Sequence, residues 1–200
     1  RQVLRRALAE FKQKSDKFIY AYGYEGFSQG DYYIATVADS IFLNPVGSVD
    51  VHGLGGATPY FKSLLDKVGV EMQVIRVGTF KSAVEPYILT DMSEANRLQT
   101  EHYLGVIWNN MVDTIAAARN LTAERINQLA DSVLLAMPAD SLVANHVVDA
   151  LRYKHDMENA MKQLLDVDKD DDINWVSPST LATGVEESVS GTHVAVLYAL

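Results

Sequence analysis

Two short segments of the sequence carry side chains that could perform nucleophilic hydrolysis. Lys81 and Ser82 lie together in residues 76–87, RVGTFKSAVEPY, and Ser28 lies in residues 26–30, GFSQG. A serine hydroxyl is a poor nucleophile until a neighbouring base takes its proton, and an uncharged lysine can be that base. The residue types therefore point to hydrolysis by an activated serine, with Lys81 as the candidate base.

A lysine can act as a base only in its uncharged form. The pKa of a free lysine is about 10.4, whereas a base that works near neutral pH needs roughly 7 to 8. Burial lowers the pKa of an amine because it removes water from the charged form. The apolar neighbours Phe80, Ala83, Val84 and Tyr87 predict such burial around Lys81. By residue chemistry alone, however, a lysine in a loop is more often a solvated surface charge.

Glu85 is the residue that could prevent this chemistry, because a carboxylate against the amine would keep it protonated. Pro86 follows Glu85, and the residue before a proline is steered away from helical geometry. A helical pairing of Lys81 with Glu85 is therefore disfavoured. We expect the Glu85 carboxylate to point elsewhere, to Arg76 or to a backbone amide.

Residues 26–30 match G-x-S-x-G, the pattern of a nucleophile elbow, with Ser28 at the centre. A strand is predicted before the pattern and a helix after it, as an elbow requires. That kind of hydrolase needs more strands than this chain supplies. It also needs a histidine partner, and His146 and His155 are more typical of surface positions.

Composition excludes several other classes of function. The net charge is -9, with 26 acidic and 17 basic residues, and no cluster of five basic residues occurs. Nucleic acid is therefore not an expected partner, since phosphate binding needs a concentrated positive face. The absence of cysteine excludes thiol catalysis, disulfides and cysteine zinc sites.

The histidines and the glycine-rich stretch do not indicate a cofactor. The five histidines have no metal-binding spacing, and residues 53–56, GLGG, lack the G-K-[ST] ending of a phosphate loop. We therefore expect neither a metal nor a cofactor. The same stretch, with Gly53 and Leu54 beside His52, could instead line a groove for substrate.

The hydrophobic pattern alternates between helix and strand periodicity. Helices are predicted over residues 1–14, 31–38, 59–67, 93–119, 138–144 and 155–165, and another from residue 122. Ser93 and Thr122 are the predicted N-caps of two of them. Strands or extended segments are predicted over residues 18–22, 40–43, 46–51, 70–77, 133–135 and 147–148. This alternation indicates an α/β fold with a mostly parallel sheet and flanking helices.

Residues 76–87 resemble the lysine motif of the signal peptide peptidase A (protease IV) family. Further segments fit the order and spacing of that family, namely residues 32–35, 39–45, 49–53, 61–67, 91–93 and 147–151. Together they cover residues 1 to about 155. The match is closest to the N-terminal half of the long form, which has two repeats.

The resemblance implies a domain organisation. Residues 1–155 would form a first ClpP/crotonase-like repeat that bears the lysine. Residues 156–192 would be a helix and an inter-domain linker, and residues 193–200 the first strand of a second repeat. Both chain ends resemble cuts through a longer protein, since the chain starts at Arg1 and ends within an apolar run.

The resemblance also implies a reaction and a setting. Lys81 would be the general base of a Ser-Lys dyad whose serine lies in the downstream repeat. Beside what the resemblance implies, Ser82, Gly53 and Leu54 are candidates from their positions to support the dyad or bind substrate, although Ser82 is equally typical of an ordinary turn serine. The substrates would be cleaved signal peptides and other apolar peptides. The protein would be a homo-tetramer on the cell membrane, anchored outside this chain, with its active site on the extracytoplasmic (periplasmic) side.

Three alternatives stay open. Ser28 could be the nucleophile in cis with Lys81, but aligning residues 32–35 with the family's helix places the nucleophile position on Gln29. A shift of one residue at a helix start turns the side chain by about 100°. The chain could also be a crotonase-type acyl-CoA enzyme, or a scaffold module without catalysis.

Overall fold

The computed structural model of the protein describes residues 1–75 and 77–184. These residues fall into two units, the first Arg1–Lys154 and the second beginning at His155. The helices are α1 Gln2–Lys14, α2 Gln29–Ala35, α3 Lys62–Lys67, α4 Glu85–Ile88, α5 Glu94–Arg119, α6 Ala123–Asp131, α7 Ala139–Ala144, α8 Lys154–Leu164 and α9 Pro178–Gly184. The strands are β1 Tyr20–Gly23, β2 Gly26–Phe27, β3 Ser40–Leu43, β4 Ser48–Val49 and β5 Ala150–Leu151.

Two parallel sheets organise the first unit. Strand β3 lies between β1 and β5 in one sheet, and β2 pairs with β4 in the other. Parallel neighbours cannot be joined by a tight hairpin and need a crossover. Helix α2 lies in the crossover from β1 to β3, and α3 to α7 lie in the long crossover from β3 to β5. The predicted α/β fold with a parallel sheet is therefore confirmed.

The core of the first unit forms between the sheet and the helices. Ile41 and Leu43 of β3 are fully buried, while the residues that alternate with them are half-buried. Helix α5 contributes Val112 and Ile115 to the same cluster. Burying an aliphatic side chain of this size stabilises the fold by roughly 1.5 to 3 kcal/mol. Tyr32 of α2 is also buried and donates a hydrogen bond of 2.6 Å to the Val147 carbonyl.

Both predicted helix caps are confirmed. The Ser93 hydroxyl accepts from the Asn96 N–H at the start of α5, and the Thr122 hydroxyl accepts from the Arg125 N–H at the start of α6. Each bond satisfies one of the N–H groups that a helix leaves unpaired at its first turn. Helix α5 ends at Arg119 and is followed by its C-cap Asn120, whose left-handed backbone (φ 53°) is typical of a helix C-terminus.

Several predicted elements differ from the structure. Residues 70–77 form no strand among the described residues, and Ile75 and Val77 are exposed. A β-rich run becomes a strand only where another strand accepts its hydrogen bonds, and within residues 1–75 and 77–184 no strand pairs with this one. The predicted strand at 133–135 is a 3-10 turn, Leu134–Ala136, because Val133 has φ 56°. The predicted strand at 147–148 forms slightly later, as β5.

Boundaries shift at two other places, and one helix was not predicted. The helix predicted over residues 59–67 begins only at Lys62, and the strand predicted as buried over 18–22 starts with exposed Tyr20. Helix α9 lies inside the predicted linker region. The predicted strand at residues 193–200 lies outside the described residues. Among the helices that are described, none combines the length and the hydropathy needed to cross a bilayer.

Asp149 links the end of α5 to the central strand. Its carboxylate accepts from the Ile41 N–H at 2.7 Å and from two nitrogens of Arg119 at 2.7 and 3.2 Å. Arg119 also donates to the His146 carbonyl at 2.9 Å. Burial alone would raise the pKa of the Asp149 carboxyl, but the bonds from Arg119 and Ile41 outweigh it and hold that pKa below its usual range.

We expect Asp149→Asn to lower stability in a pH-dependent way. A depressed carboxyl pKa contributes stability that is present above the unfolded pKa, about 3.9, and lost as pH falls through the folded pKa. At neutral pH the variant should lose about 1 kcal/mol, because the pair with Arg119 is partly screened by solvent. Thermal unfolding from pH 7 down to pH 3 should show the difference from wild type shrinking below about pH 4.

Asp113→Asn is the matched control, since Asp113 is an exposed carboxylate on α5. A loss of stability in Asp149→Asn that stays constant down to pH 3 would contradict the role given to the carboxylate charge.

Candidate active site

Lys81 lies on a turn that the backbone of Gly78 makes possible. Gly78 has φ 98°, a conformation that favours glycine, and its carbonyl accepts from the Lys81 N–H at 3.4 Å. The Lys81 side chain is exposed. It lines an open depression of about 570 Å³ whose other lining residues are mostly apolar: Ile75, Val77, Phe80, Ser82, Ala83 and Val84.

The apolar wall beside Lys81 is itself uncovered. Ile75 and Val77 are almost fully exposed, and 56% of Phe80 is exposed. Tyr87, which we expected to help surround the lysine, stacks on Phe61 with ring centroids 5.9 Å apart. Phe80, Ala83 and Val84 therefore lie beside Lys81 as expected, whereas Tyr87 does not line the depression, and the described chain by itself leaves Lys81 exposed.

Glu85 anchors the end of the Lys81 loop to the start of α5. The carboxylate is 1% exposed and accepts from the Ser93 hydroxyl at 2.5 Å, the Ser93 N–H at 3.2 Å and the Asn96 side-chain amide at 3.0 Å. A carboxylate at a helix N-terminus is also favoured by the helix dipole. The expected bond from Glu85 to a backbone amide is confirmed, and Arg76, the other expected partner, lies outside the described residues.

The effect expected of Pro86 on Glu85 is wrong in one respect. Glu85 is nevertheless the first residue of α4. Proline is tolerated in the first helical turn, because the N–H that it lacks would have no partner within the helix at that position. Lys81 lies before this helix, so the two residues do not form a pair within one helix.

A second cavity, of about 480 Å³, lies between the glycine-rich stretch and α5. It shares Ser82 and Ala83 with the depression around Lys81. Its polar lining includes Asn96 and Gln99 of α5, and Tyr60, whose buried hydroxyl has no hydrogen-bond partner among the described residues. Nothing in the sequence pattern singles out Tyr60, because only folding brings residue 60 against α5.

Gln29 holds the backbone at the start of the glycine-rich stretch. Its amide oxygen accepts from the N–H groups of His52 and Gly53 at 2.9 and 3.1 Å, and its amide nitrogen donates to the Gly53 carbonyl at 3.0 Å. Leu54 is 39% exposed, and Gly55 lines the second cavity. Leu54 thus connects Gly53, which is bonded to Gln29, with Gly55, which lines that cavity.

Ser28 is the N-cap of α2. Its hydroxyl donates to the Asp31 carboxylate at 2.6 Å and accepts from the Asp31 N–H at 3.4 Å. The glycine at position 26 has a separate cause, since a Cβ there would lie 2.1 Å from the Ser48 carbonyl of the paired strand. The G-x-S-x-G pattern therefore reflects strand pairing and helix capping.

The three histidines named in the sequence analysis each have contacts of their own. His146 has a left-handed backbone (φ 59°), and its carbonyl accepts from Arg119. His155 lies beside Asp156 at the start of the second unit. His52 is largely exposed and contacts Asp50.

Comparison with known proteins identifies relatives of this chain. The model of the family described as Peptidase family S49 matches residues 11–168. Protease 4 of Haemophilus influenzae is 43% identical over 66% of this chain, and Protease 4 of Salmonella typhi is 39% identical over 78%. The chloroplastic serine protease SPPA of Arabidopsis thaliana is 26% identical over 84%. The chain spans only 21%, 26% and 24% of the length of these three relatives.

Removing the Glu85 carboxylate should loosen the Lys81 loop. In Glu85→Ala, donors of Ser93 and Asn96 lose their acceptor, at a cost of about 1 to 3 kcal/mol for buried groups. Local opening of the loop should then expose the bond after Lys81, and cleavage there by trypsin should accelerate about tenfold or more. Glu94→Ala, which removes an exposed carboxylate from the first turn of α5, should change the cleavage rate little. Equal rates in the two variants would refute the anchoring role of Glu85.

Proposed function

The chain belongs to peptidase family S49, and from that premise we propose that it is the lysine-bearing part of a serine endopeptidase. Lys81 is the general base in this proposal. The nucleophilic serine comes from a part of the protein downstream of this chain. The observation that carries the proposal is the position of Lys81, in a depression whose apolar wall is uncovered.

The uncovered wall supplies what a lysine base needs. When a second module of the protein covers Ile75, Val77 and Phe80, it also removes water from the amine of Lys81. Desolvation disfavours the ammonium form, so the amine becomes able to accept a proton. The same module would bring the serine, so the base is completed only when the nucleophile arrives.

The reaction then follows the usual course of acyl transfer. Lys81 takes the serine proton as the hydroxyl oxygen attacks the scissile carbonyl, and the resulting ammonium protonates the leaving amine. A water molecule attacks the acyl-enzyme, with Lys81 again accepting a proton, and the serine is regenerated. Ser82 lines both cavities and is in a position to contact substrate.

The two adjoining cavities suit an extended peptide. One has exposed apolar side chains and the other has amide and hydroxyl groups, so side chains and backbone of a peptide could both be bound. Apolar peptides, including cleaved signal peptides, are the proposed substrates. Gly53 and Leu54 lie beside this region and are proposed to contact them.

The setting is proposed from the family resemblance. The immediate partner is a second repeat of the same protein, in a homo-tetramer. A membrane anchor outside this chain would hold the protein at the cell membrane, with the active site on the extracytoplasmic side.

The runner-up, Ser28 acting in cis with Lys81, is weakened by the contacts of Ser28. The hydroxyl proton is directed to the Asp31 carboxylate, and the oxygen caps α2. A serine used in this way has a structural role that accounts for it. Nothing observed on the described residues favours an acyl-CoA enzyme.

Lys81→Ala in the full-length protein should lower the kcat for peptide hydrolysis by at least about 100-fold, as expected for loss of a general base. Lys81→Arg should be equally inactive, because a guanidinium stays charged in proteins. Lys67→Ala, an exposed lysine on α3, is the matched control and should keep full activity. Activity retained in Lys81→Ala would show that Lys81 is not the base. The alternative that this chain is a scaffold module would then be favoured.

Ser28→Ala should separate the cap from a nucleophile. Loss of the cap should lower stability by about 1 kcal/mol, while the rate of peptide hydrolysis stays within about twofold of wild type. Thr122→Ala removes a comparable cap from α6 and should behave in the same way. Abolished hydrolysis in Ser28→Ala alone would establish the alternative in cis.

A further inference from the structure

The side-chain amide of Gln29 makes three hydrogen bonds to two adjacent residues. Its oxygen accepts from the His52 and Gly53 N–H groups, and its nitrogen donates to the Gly53 carbonyl. One oxygen that accepts and one nitrogen that donates are also what a peptide group offers. The Gln29 amide therefore interacts with residues 52 and 53 as the backbone of a bound chain would.

The contact continues a parallel ladder. Strands β2 and β4 pair through Phe27 and Val49, and the Asp50 N–H still donates to the Phe27 carbonyl at 2.9 Å. Beyond that point the backbone turns into α2 and moves out of register with residues 52 and 53. The Gln29 side chain takes over as their partner where the strand ends.

The backbone conformation of Gly53 lets the N–H groups of His52 and Gly53 point to the same oxygen atom. Gly53 has φ 88°, and a Cβ at this position would meet nothing within 4 Å. Its glycine is therefore required by backbone conformation and not by lack of space. Two backbone N–H groups that converge on one carbonyl oxygen are the arrangement that binds and polarises a carbonyl in acyl-transfer enzymes.

The surroundings leave room for an external ligand. His52 is exposed, Gly53 is only half-buried, and the glycines that follow line the 480 Å³ cavity beside Ser82. A peptide lying along residues 53–56 could reach the two N–H groups if the Gln29 amide were absent.

We propose that the backbone N–H groups of His52 and Gly53 form a carbonyl-binding site, for a peptide group or a primary amide, and that the Gln29 side chain occupies this site and blocks it. The site is filled within the chain, so an external peptide is kept off these two N–H groups, although it can still contact the rest of Gly53 and the side chain of Leu54. The proposal does not depend on a catalytic role of Lys81.

Acetamide is the probe that fits this proposal. Truncation of Gln29 to Ala removes one methylene and the carboxamide, which together have the size and the polar groups of acetamide. In full-length Gln29→Ala, the His52 and Gly53 amides should exchange hydrogen about tenfold faster than in wild type, as expected for loss of a hydrogen bond to each. Added acetamide should return exchange in a fragment spanning these residues toward the wild-type rate, in a saturable manner. Hydrogen exchange followed by mass spectrometry measures both effects.

Two controls decide between a filled binding site and a loosened loop. Gln29→Met also exposes the two N–H groups but fills the space, so acetamide should not slow its exchange. Wild type should not respond to acetamide at these residues. Failure of acetamide to slow exchange in Gln29→Ala, or equal slowing in Gln29→Met, would overturn the proposal.

Two further variants keep the outcome interpretable. If Gln29→Ala exchanges hydrogen faster throughout the first unit, the acetamide test is repeated with Gln29→Ser, which places a small polar residue at the start of α2. Gln29→Ala combined with Lys81→Ala should respond to acetamide as Gln29→Ala does. Loss of peptide hydrolysis and loss of the acetamide response are thus separate results, and each bears on one proposal only.

Discussion

The buried carboxylate of Glu85 is the interaction on which the geometry of the candidate site depends. An ionised carboxylate is costly to bury unless donors meet it, and here the hydroxyl and N–H of Ser93 and the amide of Asn96 do so. Ser93 and Asn96 also form the N-terminal cap of α5. The same two residues therefore bind Glu85 and begin the longest described helix. The position of Lys81 is fixed from one side by this anchor, while its other side stays open.

Because that side is open, the site around Lys81 is incomplete in the described chain. The depression around Lys81 has the apolar side chains that a desolvated amine needs, but Ile75, Val77 and Phe80 face solvent. Exposed apolar groups gathered around one charged residue are typical of surfaces that another protein module covers. The chain spans only 21% and 26% of the length of its two Protease 4 relatives, and the nucleophile and the cover belong to the proposal made above.

The other serine-bearing segment is accounted for by structure. Ser28 caps α2, and the glycine before it permits the close approach of β2 to β4. The side-chain amide oxygen of Gln29, the next residue, accepts hydrogen bonds from the backbone N–H groups of His52 and Gly53. Residues 26–30 thus form a strand-to-helix turn, and the N–H donors of His52 and Gly53 lie close to it. Both donors are already bonded to Gln29. These contacts leave Lys81, and not Ser28, as the residue to which the proposal assigns catalysis.

The sequence by itself determined the features that arise from neighbours along the chain. Helical periodicity, the caps at Ser93 and Thr122 and the central strand β3 were all predicted, because periodicity and capping act over only a few residues. The family resemblance identified Lys81 as the base to be tested. Tertiary structure decided whether residues 70–77 found a strand to pair with, since sheet pairing needs a partner distant in sequence.

Contacts between distant residues likewise needed the folded chain. The bonds of Gln29 to Gly53 cross 24 positions, and those of Asp149 to Ile41 cross 108. The exposure of Lys81 depends on what packs over it, and no local pattern encodes that. Spacing along the sequence specifies which groups are available, whereas burial and hydrogen-bond partners depend on which surfaces folding brings together.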